Sequence, residues 1–181
     1  MTTYSRIYFS LLFATFCSFS CLAAKTAKSI AMTSMQRNSA TAQNQKFVCN
    51  IGYTVADCMQ QRAIVQKTVA QYRKEDFADW TWILVRAEDW KDLMHSLHLD
   101  PDSPAFTSVD LHETFLEESL IKPKPERAKE FMHNFSVSLD RMLDLAVTHE
   151  IGHVVCGSTE FLAENYGREL RQGRHPSCTG K

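Results

Sequence analysis

Neither sign of charge is in excess in this 181-residue chain, in which 20 Lys and Arg stand against 21 Asp and Glu for a net charge of -1. Without a basic surplus, the electrostatic footprint of a nucleic-acid binder is missing. Long hydrophobic runs are missing as well. The longest, Ile7 to Phe19, spans about thirteen residues, short of the ~20 that a helix needs to cross a bilayer. Aromatic residues are absent from 25–46, a stretch rich in Ser, Thr, Ala, Gln and Asn with no sustained apolar period. Burial there cannot offset the entropy of ordering the chain.

These absences divide the sequence. Residues 1–24 carry Arg6, the apolar run and small residues at Ala23 and Ala24, which is the layout of a secretory signal peptide. Cleavage after Ala23 or Ala24 is preferred to a lipoprotein reading with acylation at Cys21, because Ser18 and Phe19 stand where small and aliphatic residues are wanted. Residues 25–46 read as a flexible lead-in or pro-segment. The remaining 47–181, about 135 residues, suffice for one domain with its own core. A composition of 44% hydrophobic and 23% charged residues agrees with that. The mature protein is expected to be exported, with no transmembrane segment.

With Cys17 and Cys21 in the leader, Cys49, Cys58, Cys156 and Cys178 remain, an even number in an exported chain, and two disulfides follow. Of the three possible connectivities, Cys49 with Cys58 and Cys156 with Cys178 is preferred, since each bridge closes a local loop. A thiolate ligand at Cys156, three residues after His153, is the less favoured use of that residue in an oxidising compartment.

The chemistry concentrates in Leu145-Ala-Val-Thr-His-Glu-Ile-Gly-His-Val-Val-Cys156. His149, Glu150 and His153 form the pattern H-E-x-x-H. From Leu139 to Val155 apolar residues recur at helical spacing (Leu139, Met142, Leu143, Ala146, Val147, Ile151, Val154), so the segment reads as a helix entering a core. On a helix, a separation of four brings both imidazoles to one face, where they can reach a single ion. Zn2+ suits imidazole nitrogens and an open fourth position, its water is acidified, and Glu150 is placed to take the proton. The bland alternative is a buried helix with two satisfied histidines.

This motif resembles that of zincin metallopeptidases. No H-x-x-G-x-x-H continuation and no later Met follow it, which sets the metzincin branch aside. The gluzincin branch takes its third ligand from a glutamate on the next helix, within a Glu-x-x-x-Asp pattern whose acid orients a ligand histidine. Here Glu160-Phe-Leu-Ala-Glu164 occupies that place, with Glu where the family has Asp and a shorter gap after His153. The resemblance implies Glu160 as ligand and Glu164 as orienter, which is the preferred assignment, with the reverse as the alternative. It covers about residues 139–170. The plainer reading makes both carboxylates solvated residues on an amphipathic helix with Arg168 and Arg171. Gly157 can end the active helix, and Ser158 or Thr159 can cap the next.

Elsewhere the sequence predicts a helix from Thr54 or Asp57 to about Tyr72, with Ala56, Met59, Ala63, Val65 and Val69 on its apolar stripe, and a strand over Trp80–Arg86. A short helix over Glu88–Leu99, strands over Ala105–Val109 and Thr114–Leu120, and a helix over Arg127–Phe135 follow. Trp80, Trp82 and Trp90 read as core in preference to a ligand platform. His95, His98, His112 and His133 show no ligand spacing. Zincin domains carry a sheet edge that pairs the substrate, and by resemblance Thr114–Leu120 is expected to be that edge. Glu113, Glu117 and Glu118 along it then either select basic peptides or form a guarded solvent face, the latter preferred. His175 and Tyr166 are candidate donors to a developing oxyanion.

The expectation is therefore a small α+β, zincin-like domain with helices packed on one face of a short mixed sheet, in which the active-site helix is followed by a glutamate helix. Its expected function is zinc-dependent hydrolysis of a peptide bond in a peptide or protein substrate. A non-catalytic zinc-binding module and an amidase acting on a non-peptide amide are the alternatives.

Overall fold

The computed structural model describes residues 45–72 and 79–179. The expected signal peptide, and all but the last two residues of the expected lead-in, lie outside the described residues. Four strands form one mixed sheet: β1 (Lys46–Cys49), β2 (Thr81–Val85), β3 (Ala105–Ser108) and β4 (Glu113–Glu117), in the order β1-β2-β4-β3. β1 and β4 run parallel to β2, and β3 runs antiparallel to β4 with Ala105 opposite Leu116. Among the described residues five α-helices accompany the sheet: α1 (Val55–Val69), α2 (Ala87–Ser96), α3 (Pro125–Phe135), α4 (Leu139–Cys156) and α5 (Glu160–Arg171). The fold is α+β, as expected.

Because strand side chains alternate between faces, each strand contributes to two cores. Phe47, Cys49, Trp82, Leu84, Ala105 and Leu116 form one face, buried against Val65 and Val69 of α1, Phe131 of α3, Met142, Val147 and Ile151 of α4 and Tyr166 of α5. Val48, Ile83, Val85 and Phe115 form the other, covered by Trp90 and Met94 of α2. Helices therefore occupy both faces, not one. The reason lies in β2, where Trp82-Ile-Leu-Val85 is apolar without alternation and needs cover on either side. All three tryptophans are core residues, Trp90 completely so at 0% exposure.

Side-chain oxygens decide two local features. The N–H of Asp57 donates to the Thr54 hydroxyl at 3.1 Å, which starts α1 where the sequence places it. The buried stripe of α1 is Gln61, Val65 and Val69, whereas Ala56, Met59 and Ala63 are exposed. A polar residue is tolerated in that stripe because the Gln61 amide donates to Glu118 at 2.9 Å.

The sheet edge differs from expectation. β4 lies inside the sheet, between β2 and β3, and residues 118–120 leave it as a 3-10 turn, so the free edge beside the helices is β3. Interior placement also changes what the acids do. Glu117 is buried and paired with Arg127, Nη2 to Oε2 at 2.7 Å, and Glu118 is half-buried against Gln61, while Glu113 is half-buried. None of the three forms a guarded solvent face. Arg127 also donates to the carbonyls of Pro101 (3.4 Å) and Asp102 (3.2 Å) and lies 4.5 Å over the Phe131 ring. It thereby holds the loop leading into β3.

The disulfides are Cys49–Cys58 and Cys156–Cys178, the preferred pairing. The first ties β1 to α1, and the second ties the C-terminal tail to the end of α4. Two such bridges are compatible with export to an oxidising compartment. Among the described residues no helix is long and apolar enough to cross a membrane.

Candidate metal centre

α4 and α5 form an antiparallel pair whose closeness depends on two glycines. A Cβ added at Gly152 would fall on the backbone of Ala163, 2.6 Å from its Cα and 2.7 Å from its carbonyl carbon. A Cβ at Gly167 would stand 2.7 Å from the carbonyl oxygen of Thr148. Each helix thus lays bare backbone against the other at a spacing that only glycine permits. Gly157, at φ +81°, ends α4 and lets the chain reverse into α5.

The reversal carries the acids onto the imidazoles. Nε2 of His149 and Nε2 of His153 lie 3.2 Å apart, Glu160 Oε2 is 3.1 Å from the first, and Glu160 Oε1 is 3.4 Å from the second. One ligand atom from each of the three residues lies within 4.8 Å of the others, so the group could hold a metal ion. His153 and Glu150 are buried, His149 is half-buried and Glu160 is exposed.

Tautomers follow from the partners of the other ring nitrogens. His153 Nδ1 faces the carbonyl of Gly157 at 3.0 Å, and His149 Nδ1 faces Glu164 Oε2 at 3.2 Å. Both partners can only accept, so both Nδ1 atoms donate. In the neutral rings each Nε2 then presents a lone pair. These two nitrogens and the Glu160 carboxylate lie 3.1 to 3.4 Å apart and form a set of atoms suited to a cation. The Glu164 carboxylate is already engaged on both oxygens, because Oε1 accepts from Arg171 Nη2 at 3.3 Å. Geometry thus separates the two acids, with Glu160 in the cluster and Glu164 behind it.

Glu150 lies beside this group and is 3% exposed. Its Oε2 is buried with no hydrogen-bond partner. Burial pushes its carboxyl above the usual range, against the opposing pull of His149 and of the Thr107 hydroxyl. Behind Thr107 runs a line of donors: Trp80 Nε1 donates to Thr114 Oγ1 at 2.9 Å, and the Thr114 and Thr107 hydroxyls lie 2.8 Å apart. An indole can only donate and a carboxylate can only accept, so the line points toward Glu150. The sequence gives no sign of this arrangement, because Thr107 and Thr114 meet it through strand register.

No family model, curated protein or solved structure matches this chain. Two cavities of about 230 and 280 Å³ flank the cluster and share Ser103, Ala105, His149, Glu150 and Glu160 in their walls. The first is closed by apolar Phe135, Met142 and Leu145, the second by Leu99, Phe106 and Thr107 together with Asp100. Together they trace a cleft along β3. The Glu117 N–H to Pro104 carbonyl bond (2.9 Å) puts Pro104 and Glu117 in a hydrogen-bonded pair, so by alternation the backbone groups of Ala105 and Thr107 face the open edge.

The other sequence candidates fall elsewhere. Tyr166 is a core residue at 2% exposure, His175 is exposed on the tail, and neither is among the residues that line the two cavities. Cys156 is committed to its disulfide and is not in the cluster. His95, His98, His112 and His133 are exposed, with His112 stacked on Trp80 at 5.3 Å.

Proposed function

We propose that this protein is a zinc-dependent hydrolase that cleaves peptide bonds, in the manner of the gluzincin peptidases whose motif it resembles. One observation carries the reading: one ligand atom each from His149, His153 and Glu160, on two helices, converge within 4.8 Å of one another, next to a buried carboxylate that lines an open cleft. Two neutral imidazoles and one carboxylate are a donor set that suits zinc and leaves a position free.

A zinc ion held by His149, His153 and Glu160 would supply a Lewis acid that acidifies water and polarises a carbonyl. The chain's own residues do the rest. Glu150 takes the proton of the attacking water on its carboxylate and returns it to the leaving amine, and its burial raises its proton affinity toward that task. Thr107 holds the carboxylate in place from the side of the sheet. An extended peptide laid along β3 would find the outward backbone groups of Thr107 and the N–H of Ala105, whose carbonyl already accepts from Ser103 Oγ at 2.8 Å, which favours strand addition at this edge in place of β4. The cavity walls on either side exclude water from part of the peptide.

The test is zinc content of the purified protein, followed by assay of a mixed peptide library with wild type and Glu150→Gln side by side. Bound zinc in both, with cleavage lost by about 10²- to 10⁴-fold in the variant, supports the reading. Bound metal with no cleavage by either protein favours the binding module, and cleavage of non-peptide amides alone favours the amidase.

A further inference from the structure

We propose that Arg171, acting with Thr148, is a positioning residue that reserves Glu164 for His149 and so keeps the cluster a three-residue one. The inference rests on the metal-site reading above and adds a residue to it. Arg171 ends α5, two turns beyond Glu164, and the Gly167 contact brings that end of the helix onto Thr148. Its guanidinium forks. Nη1 donates to Thr148 Oγ1 at 2.6 Å, and Nη2 donates to Glu164 Oε1 at 3.3 Å.

Arginine has no acceptor, so the Thr148 oxygen must accept from it, and the Thr148 hydroxyl points its own proton back at the helix carbonyls of Asp144 (2.8 Å) and Leu145 (3.1 Å). Thr148 is 0% exposed, so this contact is shielded from bulk solvent. On the other branch Glu164 accepts from Arg171 on one oxygen and from His149 Nδ1 on the other, at 3.2 Å. One planar cation therefore links the residue before His149 to the acid behind it. The His149 ring is held from both sides, with its Nε2 turned to Glu160.

Glu164 is four residues from Glu160 and shares its helix face, so the same carboxylate is chemically able to swing onto the metal. The Arg171 fork is what holds it away. A point charge at this position cannot hold both partners, which is why lysine should not substitute.

The experiment loads wild type, Arg171→Leu, Arg171→Lys and Glu164→Gln with Co2+ in place of the native metal. It records the visible absorption of the bound ion and its affinity by chelator competition, with thermal unfolding of each variant measured metal-free. Wild type is expected to bind one ion. Both Arg171 variants should bind it about 10- to 100-fold more weakly, with an altered absorption band that reports a changed ligand set. Glu164→Gln should weaken binding to a similar extent, and adding Arg171→Leu to it should cost little more, since both act through one path. A merely structural arginine would lower the melting temperature and leave affinity and spectrum as they are, which overturns the proposal. Thr148→Val keeps the volume and removes the hydroxyl, so it repeats the test where Arg171→Leu fails to fold. A wild type that binds no Co2+ overturns the metal reading itself, and this inference with it.

Discussion

Replacing Gly152 by alanine is the most exacting test of how the site is assembled. The added methyl would meet Ala163 Cα at 2.6 Å and its carbonyl carbon at 2.7 Å, and these are backbone atoms that no rotamer change can move. Carbon atoms rest at about 3.5–4.0 Å, so the two helices must part by ~1 Å. Overpacking of this kind costs about 1–3 kcal/mol, and alanine returns up to ~1 kcal/mol over glycine in a helix. The net loss of stability is modest, on the order of 1–2 kcal/mol. The effect on the site is larger. Gly152 precedes His153, and Ala163 lies between Glu160 and Glu164, so the separation opens where the two ligand sets face each other. A displacement of ~1 Å at a reacting centre costs about 10²-fold in rate, and metal affinity should fall with it. Chelator competition and urea unfolding on the same preparations separate the two effects. Because the clash is with backbone, Ala163→Gly in the same molecule should not restore binding. Full metal affinity in Gly152→Ala, or rescue by Ala163→Gly, would refute the close-backbone account of the site.

Further outcomes follow from individual contacts. Arg127→Met strands the buried Glu117 carboxylate and should destabilise the fold by about 3–5 kcal/mol, whereas pairing it with Glu117→Gln should recover much of the loss in urea unfolding. Removing the Cys156–Cys178 bridge, with a sequence separation of 22, should cost about 3 kcal/mol and free the tail to proteolysis without removing any member of the metal cluster. Tyr53 and Tyr72 are both pushed up, each first by burial, then by the charge of Glu118 for Tyr53 and the hydrogen bond to Asp144 for Tyr72. The unfolded chain gives up these protons near pH ~10 while the folded protein keeps them. Stability is therefore complete below that pH and falls as pH rises above it, with phenolate absorbance from these two residues appearing only as the protein unfolds.

How far the site was legible in the sequence differs from residue to residue. His149, Glu150 and His153 are readable because a single helix of fixed pitch relates them, and no other part of the chain has to be placed. Glu160 and Glu164 are readable as a pair for the same reason. Their order, Glu160 toward the imidazoles and Glu164 behind, came from the resemblance alone, whereas the contacts that place Glu160 in the cluster and Glu164 against His149 and Arg171 belong to the tertiary structure. Cys49–Cys58 and Cys156–Cys178 were accessible as local loops. Tyr166 and His175 illustrate the limit, because helical phase and a nearby disulfide do not say which way a side chain faces once the helix is packed.

What the sequence determined by itself is local: the periodicity of α4, the cap at Thr54, the unbroken apolar run of β2, the even cysteine count and the spacing of His149 and His153 on one helix. These rest on chemistry within a few residues of chain, where geometry is nearly invariant. Tertiary structure alone decided that β3 and not β4 is the open edge, that Glu117 is buried against Arg127, and that Thr114 and Thr107 line up behind Glu150. It also decided that two glycines hold α4 and α5 close enough for Glu160 to meet both imidazoles. Those facts depend on strand order and helix separation, which come from the packing of segments far apart in sequence.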